Sequence, residues 1–389
     1  MLSLGSNISA TQVVESKYSA NFDGTDEYID TGQTFQSVFR GDYSISFWMK
    51  PDDGRCSEMV FGADNDSNDD GNSGGKAEIY FQLQGDGAPR LIMTAKSDVG
   101  VWSTNGGGGF NFDDGAASSW THFVITVDLQ SSGDTVVKIY VNGVDKTNEE
   151  NGIASSNHDD YTSDVSLVLD GRNIEGTVSD FYGGGLDEFA IFNTVLGTNE
   201  PLAIYNNTSP LNLSFNQGNY VSSSALQVYY RMGDGLFDDK ANGIVHDQDN
   251  PGFGAEEVVN GDFASDSDWT KSSSGVTISG GSANFNLASD TYVYQDILTA
   301  TKTYKIIFSG AINSGSLYIG ENGVATNTYT AGTYTNEVAY FTVASSARFI
   351  IRRAGTGTLD AIIDNISVKQ LNGNPGITSG GPTFSSDTP

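Results

Sequence analysis

Two segments of the sequence carry most of the information about the fold: residues 18–30, YSANFDGTDEYID, and residues 184–193, GGLDEFAIFN. The first predicts a strand that runs into an Asp-Gly turn and then a second short strand, because Asp and Gly tolerate the backbone angles of tight turns. The second predicts a glycine-rich turn followed by a strand that carries Leu186, Phe189, Ile191 and Phe192. Between them lie three more strand phrases, DYSISFWMKP, WTHFVITVD and VVKIYVNGV, which begin at Asp42, Trp120 and Val136.

The composition favours an all-β protein. The chain has 389 residues, of which 47 are Gly, 8 are Pro and 37% are hydrophobic, enough for two globular cores. Short apolar runs are separated by clusters of Gly, Asn, Asp and Ser, and no long segment has a helical period. Strands that recur every 8–12 residues or so between such turns are typical of a β-sandwich. Only residues 199–206, NEPLAIYN, could hold one helical turn.

The five phrases, in this order, resemble the laminin-G-like, concanavalin A-like lectin sandwich over about residues 17–205. The resemblance implies an all-β jelly-roll sandwich for this part of the chain. It does not imply one activity, because this sandwich carries lectins, adhesion modules, enzymes and virion proteins alike.

A second, smaller sandwich is expected at about residues 254–370. Residues 258–269 read VVNGDFASDSDW and residues 360–369 read DAIIDNISVK, and this pair resembles the opening and closing phrases of jelly-roll carbohydrate-binding modules attached to xylanases and cellulases. Between them apolar residues alternate with polar ones, as they do on half-buried strands. One such set is Tyr304, Ile306 and Phe308.

The sequence therefore divides into an N-terminal arm (1–16), a lectin-like sandwich (17–250), a jelly roll (254–370) and a C-terminal tail (371–389). Residues 226–250 resemble the strand and turn that close laminin-G-like repeats. In marine phage proteins that resemble this chain, such a phrase runs straight into a short tail ending in Thr-Pro, which here appears only at residues 372–389. The jelly roll is then either inserted into a loop of the first domain, since exposed polar loops tolerate insertions, or placed in tandem with it.

The charge balance argues against some classes of partner. The formal net charge is −30, from 49 acidic and 19 basic residues, and so few cations cannot follow a phosphate backbone. The acidity instead favours solubility and repulsion between copies. The single cysteine, Cys56, permits no disulfide within the chain. No run of 18 apolar residues predicts membrane insertion, and the N-terminus does not read as a signal peptide.

No catalytic arrangement is predicted. Glucanases with the concanavalin-like fold carry E-x-D-x-x-E on one strand, so that two carboxylates flank the glycosidic bond, and this phrase is missing here. Asp187 and Glu188 are adjacent, and on a regular strand their side chains would point to opposite faces. His122 is expected to pack within a strand, and His158 and His246 are expected in polar loops.

A calcium site is predicted at Asp66, Asn68 and Asp70, whose phrase DSNDDG matches the D-x-N-x-D-G core of a Ca²⁺ loop. Alternate side-chain oxygens can converge there on one hard cation, and the glycine permits the tight turn. The twelfth position, a Glu in EF-hands, is Ala77 here. A solvated acidic loop is the alternative.

The jelly-roll resemblance implies a second structural Ca²⁺ site. Related modules hold the ion between the opening N-G-x-F phrase and the Asp of the last strand, which correspond here to Asp262 and Asp364. Ala264 departs from the pattern, because the family usually has an acidic residue at that position.

Four aromatic residues are predicted to contact glycans. The C–H faces of pyranose rings stack on aromatic rings, while sugar hydroxyls need directed polar partners. In the first domain the candidates are Trp102, in a loop beside four glycines, and Tyr182, just before three more. In the second, Tyr292 and Tyr294 share one face of a predicted strand. Core packing is the alternative for all four.

These features together lead to the hypothesis of a non-enzymatic structural and adhesive virion protein of a tailed phage. It would be a tail-fibre or capsid-decoration component with lectin-like, glycan-binding domains, made in the host cytoplasm and released by lysis. Its expected partners are other virion proteins, host-surface or environmental glycans, and further copies of itself in a homo-oligomer. A secreted, extracellular bacterial adhesin or polysaccharide-binding module is the main alternative, and a glycoside hydrolase is a third.

Overall fold

The computed structural model describes residues 15–52, 58–64, 76–83, 89–96, 98–103, 119–129, 135–146, 163–206, 209–272, 275–287, 291–324 and 327–389. The chain forms two units, residues 1–251 together with 373–389, and residues 252–372. The first unit is thus discontinuous in sequence. Strands make up 53% of the structure and helices only 5%, which confirms the predicted all-β class.

The first unit, up to the point where the second begins, has the following described helices and strands in chain order: β1 (Ser19–Asp23), β2 (Tyr28–Asp30), α1 (Gln36–Phe39), β3 (Tyr43–Pro51), β4 (Glu58–Asp64), β5 (Lys76–Leu83), β6 (Pro89–Lys96), β7 (Asp98–Ser103), β8 (Thr121–Leu129), β9 (Thr135–Val141), β10 (Val144–Asp145), β11 (Val168–Leu169), β12 (Arg172–Ile174), β13 (Thr177–Ser179), β14 (Gly183–Phe192), α2 (Glu200–Tyr205), β15 (Leu226–Tyr230) and β16 (Ile244–Val245).

The second unit has β17 (Phe253–Glu256), β18 (Thr270–Lys271), β19 (Val276–Ser279), β20 (Ser282–Leu287), β21 (Tyr292–Asp296), β22 (Thr303–Ser314), β23 (Ser316–Glu321), β24 (Thr328–Tyr329), β25 (Gly332–Thr342), β26 (Arg348–Ala354) and β27 (Leu359–Leu371). The chain then returns to the first unit with β28 (Gly376–Ser379) and β29 (Thr383–Ser385).

Two sheets form the first unit in the part of the chain that the structure describes. One runs β10-β9-β8-β3-β14-β1-β29, with β15 also paired to β14, and all of its pairs are antiparallel. The other runs β16-β28-β2-β11-β4-β5-β6-β7, with β12 alongside β4 and β13 alongside β12. The quoted phrases of the sequence supply the central strands β1, β3, β8 and β14.

Phenylalanines from both sheets meet in the core of the first unit. The ring of Phe47 on β3 lies 5.7 Å from Phe61, 5.2 Å from Phe81, 5.5 Å from Phe123 and 6.2 Å from Phe189, measured between centroids. All five side chains are fully buried. Each buried Phe contributes roughly 1.5–3 kcal/mol of stability, so this cluster is a major part of what holds the sheets together.

The opposite face of the first sheet is covered as well. Val124, Ala190 and Phe192 pack into a second buried cluster with residues of the segment 196–220, which includes α2. Burial on both faces explains why β3 and β14 read as nearly continuous apolar runs rather than as alternating ones. The predicted helical turn at residues 199–206 is confirmed as α2.

The C-terminal tail forms strands in both sheets of the first unit. β28 pairs with β2 and β16, and β29 pairs with β1. Asn374 fixes the start of this segment: its N–H donates to Asp247 Oδ2 over 3.0 Å, its side chain donates to the carbonyl of Gln227 over 3.1 Å, and its carbonyl accepts from Tyr230 over 2.6 Å. Hydrogen bonds therefore join residues that precede the second unit to residues that follow it.

The second unit is itself a sandwich of two antiparallel sheets. One runs β19-β20-β27-β22-β25, with β17 also paired to β27, and the other runs β18-β21-β26-β23-β24. Its core is separate from that of the first unit and includes Phe263, Trp269, Phe285, Phe308 and Phe349. The two ends of this unit adjoin, because Phe253 pairs with Leu371 and the N–H of Asn372 donates to the carbonyl of Gly252 over 3.0 Å.

Candidate functional site

The outer face of the five-stranded sheet in the second unit combines aromatic and cationic side chains. Along each strand alternate residues lie in the core, and those between them form the outer face. The core residues are Val293, Leu317, Ile319, Phe349 and Ile351. The residues between them are Tyr292, Tyr294, Asp296, Tyr318, Gly320, Arg348, Ile350 and Arg352. Tyr318, Gly320 and Ile350 are themselves buried, so the exposed part of this face is formed by the tyrosines of β21 and the arginines of β26.

The strand register places these residues in rows. Arg352 of β26 is paired with Tyr292 of β21 on one side and with Tyr318 of β23 on the other. In the next row Ile350 stands between Tyr294 and Gly320. One guanidinium group is therefore flanked by two tyrosines on the face of a rigid sheet.

Arg348 fixes the position of Tyr294. Its guanidinium carbon lies 3.6 Å from the centre of the Tyr294 ring, and its Nε donates to Asp296 Oδ1 over 2.9 Å. The rings of Tyr292 and Tyr294 are 6.1 Å apart. Both tyrosines are half-buried, so each ring is supported by protein and still reaches solvent. We call Tyr292, Tyr294, Tyr318, Arg348 and Arg352 the tyrosine–arginine face.

Tyr318 lies across a glycine on the same strand. A Cβ atom added to Gly320 would be 3.3 Å from Tyr318 Oη and 3.4 Å from its Cε2, and Gly320 has a φ of +156°. Tyr318 is only 5% exposed. Burial is the main reason that the pKa of its hydroxyl is raised.

A cavity of about 420 Å³ opens beside this face. Tyr318, Val324, Arg352 and Arg353 line it, together with small residues of the adjoining turns. Nη1 of Arg353 donates to the carbonyl of Gly357 over 2.7 Å, which holds that guanidinium at the end of β26. Among the lining residues that the structure describes there is no carboxylate.

The sequence predicted one part of this arrangement. Tyr292 and Tyr294 share one face of a strand, as expected, and neither belongs to the core. Sequence reasoning missed Arg348, Arg352 and the cavity. Their signal is the phrase RFIIRR, in which Arg348 and Arg352 alternate with the core residues Phe349 and Ile351. Which strand lies beside the tyrosines depends on sheet order, which the phrase does not give.

The prediction that Tyr182 contacts glycans is wrong. Its side chain is fully buried in the core of the first unit, and its hydroxyl donates to the carbonyl of Gly185 over 3.3 Å. The three glycines that follow it are themselves packed: a Cβ on Gly185 would lie 2.6 Å from the Trp120 ring. These glycines allow the backbone to pack closely, and they do not form an open loop.

Trp102 lies in β7, opposite Leu91 of β6, rather than in the expected loop. Asp66, Asn68 and Asp70 lie outside the described residues, so the first calcium prediction stays a prediction.

At the second predicted calcium site, Asp262 and Asp364 are both exposed. Each carboxylate accepts a nearby backbone N–H, from Ala264 over 3.3 Å and from Asn365 over 3.0 Å. The two segments are adjacent, because the N–H of Ile366 donates to the carbonyl of Gly261 over 2.8 Å. Among the residues with described positions, no three His, Cys, Asp or Glu side chains are grouped to hold a metal ion.

The adjacent carboxylates of β14 have partners inside the first unit. The strand is irregular at this point, since its register with β3 shifts and Glu188 has a φ of +49°. Asp187 accepts from Ser16 Oγ over 2.8 Å, and Glu188 bonds to the Tyr229 hydroxyl and to Arg231 Nε. Burial raises the pKa of both carboxyls. Asp187 and Glu188 therefore belong to a buried network of hydrogen bonds that supports the fold.

The histidines differ in part from expectation. His122 is packed within β8 as predicted, with Nε2 3.0 Å from Ser46 Oγ and its ring against Trp48. Burial lowers its pKa to about 3, so it is neutral. His246 was expected in a polar loop, but it is fully buried, with its ring 6.0 Å from Phe237. His158 lies outside the described residues.

Comparison with known proteins identifies the class of the first unit. Residues 23–200 match the family model of the concanavalin A-like lectin/glucanases superfamily, which confirms the resemblance seen in the sequence. The first unit therefore contains a concanavalin A-like domain. No curated protein matches the chain.

Three solved structures illustrate what the chain is similar to. The CBM40 of Ruminococcus gnavus IT-sialidase is 13% identical, with 49% of this chain and 97% of that one covered and a TM-score of 0.36. A heptameric SAP-like pentraxin from Limulus polyphemus is 16% identical (54% and 89% covered, TM-score 0.32). Tailspike protein 2 from the Escherichia coli O157:H7 bacteriophage CAB120 is 12% identical (58% and 31% covered, TM-score 0.32).

No helix among the described residues approaches the length and hydrophobicity that crossing a bilayer requires.

Proposed function

We propose that this chain is a non-enzymatic, adhesive glycan-binding protein, and that the tyrosine–arginine face of the second unit contacts the sugar. The observation that carries the proposal is the row Tyr292–Arg352–Tyr318, with Tyr294 held under Arg348, beside a cavity of about 420 Å³. A concave site with aromatic surface and a few convergent polar groups is the usual form of a small-ligand site.

The physical basis is complementarity to a pyranose ring. The apolar C–H face of a sugar can stack on a supported tyrosine ring, and guanidinium and phenol groups can bond its hydroxyls. Because the strands and the Arg348–Asp296 pair already hold these groups, little side-chain freedom is lost when the ligand binds.

The test is binding of the full chain to an array of polysaccharides and oligosaccharides. Tyr292→Ala and Tyr294→Ala should each weaken binding about tenfold, which corresponds to ~1.4 kcal/mol of lost stacking. Tyr340→Ala is the matched control, because this half-buried tyrosine lies on the six-stranded sheet with Lys305 Nζ 5.5 Å from its ring centre. Equal losses in the control, or no binding by the wild type, would contradict the proposal.

The non-enzymatic part of the proposal is supported by the carboxylates of the first unit. Glycoside hydrolysis needs two carboxyl groups on either side of the bond that is cleaved. Asp187 and Glu188 are instead buried and bonded to Ser16, Tyr229 and Arg231. Release of reducing sugar from any polysaccharide that the chain binds would overturn this part.

The proposed setting is the virion of a tailed phage, where the chain would act beside other virion proteins and further copies of itself. The phage-like phrases at residues 226–250 and 372–389 support this setting. Mass spectrometry of purified particles should find the chain. Its presence only in a bacterial envelope or culture fluid would support the alternative, a secreted adhesin.

A further inference from the structure

Five Asn-Gly pairs lie in the described part of the chain, at Asn142, Asn242, Asn260, Asn322 and Asn372. Asparagine is a thermolabile residue, and its amide is least protected where glycine follows, because a residue without a Cβ lets its backbone nitrogen approach the asparagine side chain. The dipeptide itself is the same in all five. The structure separates them by exposure and by the hydrogen bonds of each side chain.

Asn242 has the most accessible side chain of the five. It is exposed, in the turn between Asp239 and Ile244, whereas the other four asparagines are half-buried. Its Nδ2 donates to Asp239 Oδ2 over 3.1 Å at the surface, where water can replace the partner. The N–H groups of Asn242 and Ile244 donate to the carbonyl of Asp239, and within the described chain the N–H of Gly243 between them makes no hydrogen bond. The nitrogen next to the amide is therefore available to react.

Asn142 and Asn260 show the opposite arrangement. Oδ1 of Asn142 accepts the N–H of His122 over 2.9 Å. Nδ2 of Asn260 donates to the carbonyls of Ser265 and Ser267 over 2.8 and 2.9 Å. These bonds restrict the side-chain rotation that an approach to the following nitrogen requires, so both pairs should react slowly.

We propose that Asn242 is a modification site, at which the side-chain amide converts spontaneously to aspartate and isoaspartate. The backbone nitrogen of Gly243 attacks Cγ of Asn242, so that a new N–Cγ bond forms and the Cγ–Nδ2 bond breaks. The proton of the Gly243 nitrogen leaves with Nδ2 as ammonia, and a succinimide ring remains. Water then opens the ring at either carbonyl: one product is aspartate, and the other is isoaspartate, whose backbone runs through Cβ and Cγ and is one carbon longer.

The modification falls where the C-terminal segment docks. The carbonyl of Gly243 accepts the N–H of Thr378 over 2.8 Å, and Ile244 pairs with Ile377 at the start of the β16–β28 ladder. The fit is close, because a Cβ on Gly243 would collide with Thr378 Oγ1. A longer backbone before Gly243 should displace this carbonyl. The new carboxylate also lies beside that of Asp239, which the amide had bonded, and the two charges repel. Both effects should weaken the attachment of β28.

The first experiment measures the reaction rate at each position. The full chain is incubated in mildly alkaline buffer, and peptide mapping by mass spectrometry follows deamidation at the five pairs in the native state and in urea. We expect Asn242 to convert several-fold faster than each of the other four in the native state, and the five rates to converge once urea has unfolded the chain. A native rate at another of the five that equals or exceeds that of Asn242 would overturn the inference. The same lead for Asn242 in urea would also overturn it, because local sequence would then be the cause.

The second experiment measures the effect on the fold. Wild type aged until most of Asn242 has converted should melt a few degrees lower than fresh wild type. Asn242→Gln is the matched variant, because glutamine keeps the amide but must close a larger ring, which forms much more slowly. Fresh and aged samples of one variant are compared, so the effect of the substitution itself cancels. An equal loss in the variant, or no loss in wild type, would overturn the proposed effect on β28.

Discussion

At the residue scale, the site depends on a glycine whose role is steric. Gly320 has a φ of +156°, which L side chains rarely adopt, and the ring of Tyr318 occupies the space beside it. The absence of a side chain at Gly320 therefore leaves room for the Tyr318 ring.

Gly320→Ala should displace Tyr318 and weaken glycan binding, with a loss of about 1–2 kcal/mol of folding stability from backbone strain. Gly332→Ala is the matched control, since a Cβ there would be 3.6 Å from Tyr334 Oη, an ordinary contact, and φ is not positive. Thermal melting and glycan affinity are measured on both. Unaltered affinity in Gly320→Ala would show that Tyr318 is not part of the site.

Two buried aspartates of the first unit make its stability depend on pH. Asp247 accepts the N–H groups of Tyr229, Asp249 and Asn374, and Asp238 those of Gly233, Gly235 and His246. Burial nevertheless raises the pKa of each to about 6. The stabilisation that these raised pKa values give the folded state is fully present below about pH 4. It is lost as the pH rises through 6, because the folded state then releases protons that the unfolded chain has already released at lower pH.

Wild-type protein should therefore melt at a higher temperature at pH 5 than at pH 7.5, and Asp247→Asn should reduce that difference. A pKa difference of two units corresponds to roughly 3 kcal/mol per group. Asp26→Asn, at an exposed turn position, is the control and should leave the difference unchanged. The same pH dependence in Asp247→Asn as in wild type would contradict this assignment.

The residue scale also shows where sequence reasoning stops. Alternation placed Tyr292 and Tyr294 together because their periodicity is local. Alternation could not show that Tyr182 is buried while Tyr292 and Tyr294 reach solvent. The burial of Tyr182 depends on a core assembled from distant strands. The arginines of β26 join the tyrosines only through a register between segments more than fifty residues apart.

At the element scale, the short C-terminal strands complete the first unit. β28 lies between β16 and β2, so it has neighbours on both sides. The sequence of this segment, GITS within a Gly-rich tail, lacks the apolar alternation that marked the other strands. Its backbone pairing therefore gave almost no signal in the sequence, while β1, β3, β8 and β14 were marked clearly by their apolar residues.

Truncation after Pro375 should strongly destabilise the first unit, because both neighbours of β28 lose their backbone partners and unpaired strand edges promote aggregation. Truncation after Ser385 is the control. It removes Asp387, which pairs with Lys50 Nζ over 2.5 Å and accepts hydrogen bonds from Trp120 Nε1 over 3.3 Å and Ser19 Oγ over 2.8 Å. Because it removes no strand, this truncation should lower the melting temperature much less than truncation after Pro375. Similar melting of the two truncations would show that β28 is dispensable.

At the scale of the whole molecule, the two units have separate cores, and the ends of the second unit adjoin. Deleting residues 252–372 and joining Pro251 to Gly373 should leave a soluble, folded lectin-like unit, since the cost of closing a loop changes slowly with its length. The deleted chain should lose the glycan binding that we assign to the second unit. An insoluble product would show that the first unit needs the second in order to fold.

Calcium remains a proposal at this scale. If either predicted site is occupied, Ca²⁺ should raise the melting temperature relative to chelator, because it binds the folded state alone. Asp66→Ala and Asp364→Ala then distinguish the loop of the first unit from the jelly roll. Superimposable melting curves in excess Ca²⁺ and in chelator would exclude a structural ion.

The measurement that tests the central claim most directly is hydrogen exchange of the full chain with and without the tightest-binding sugar from the array. The tyrosine–arginine face should become protected, with slower exchange in β21, β23 and β26 and in the turn at residues 321–324. The six-stranded sheet of the same unit should be unaffected. Protection confined to the first unit or to β22, β25 and β27 would contradict the assignment of the glycan site to this face.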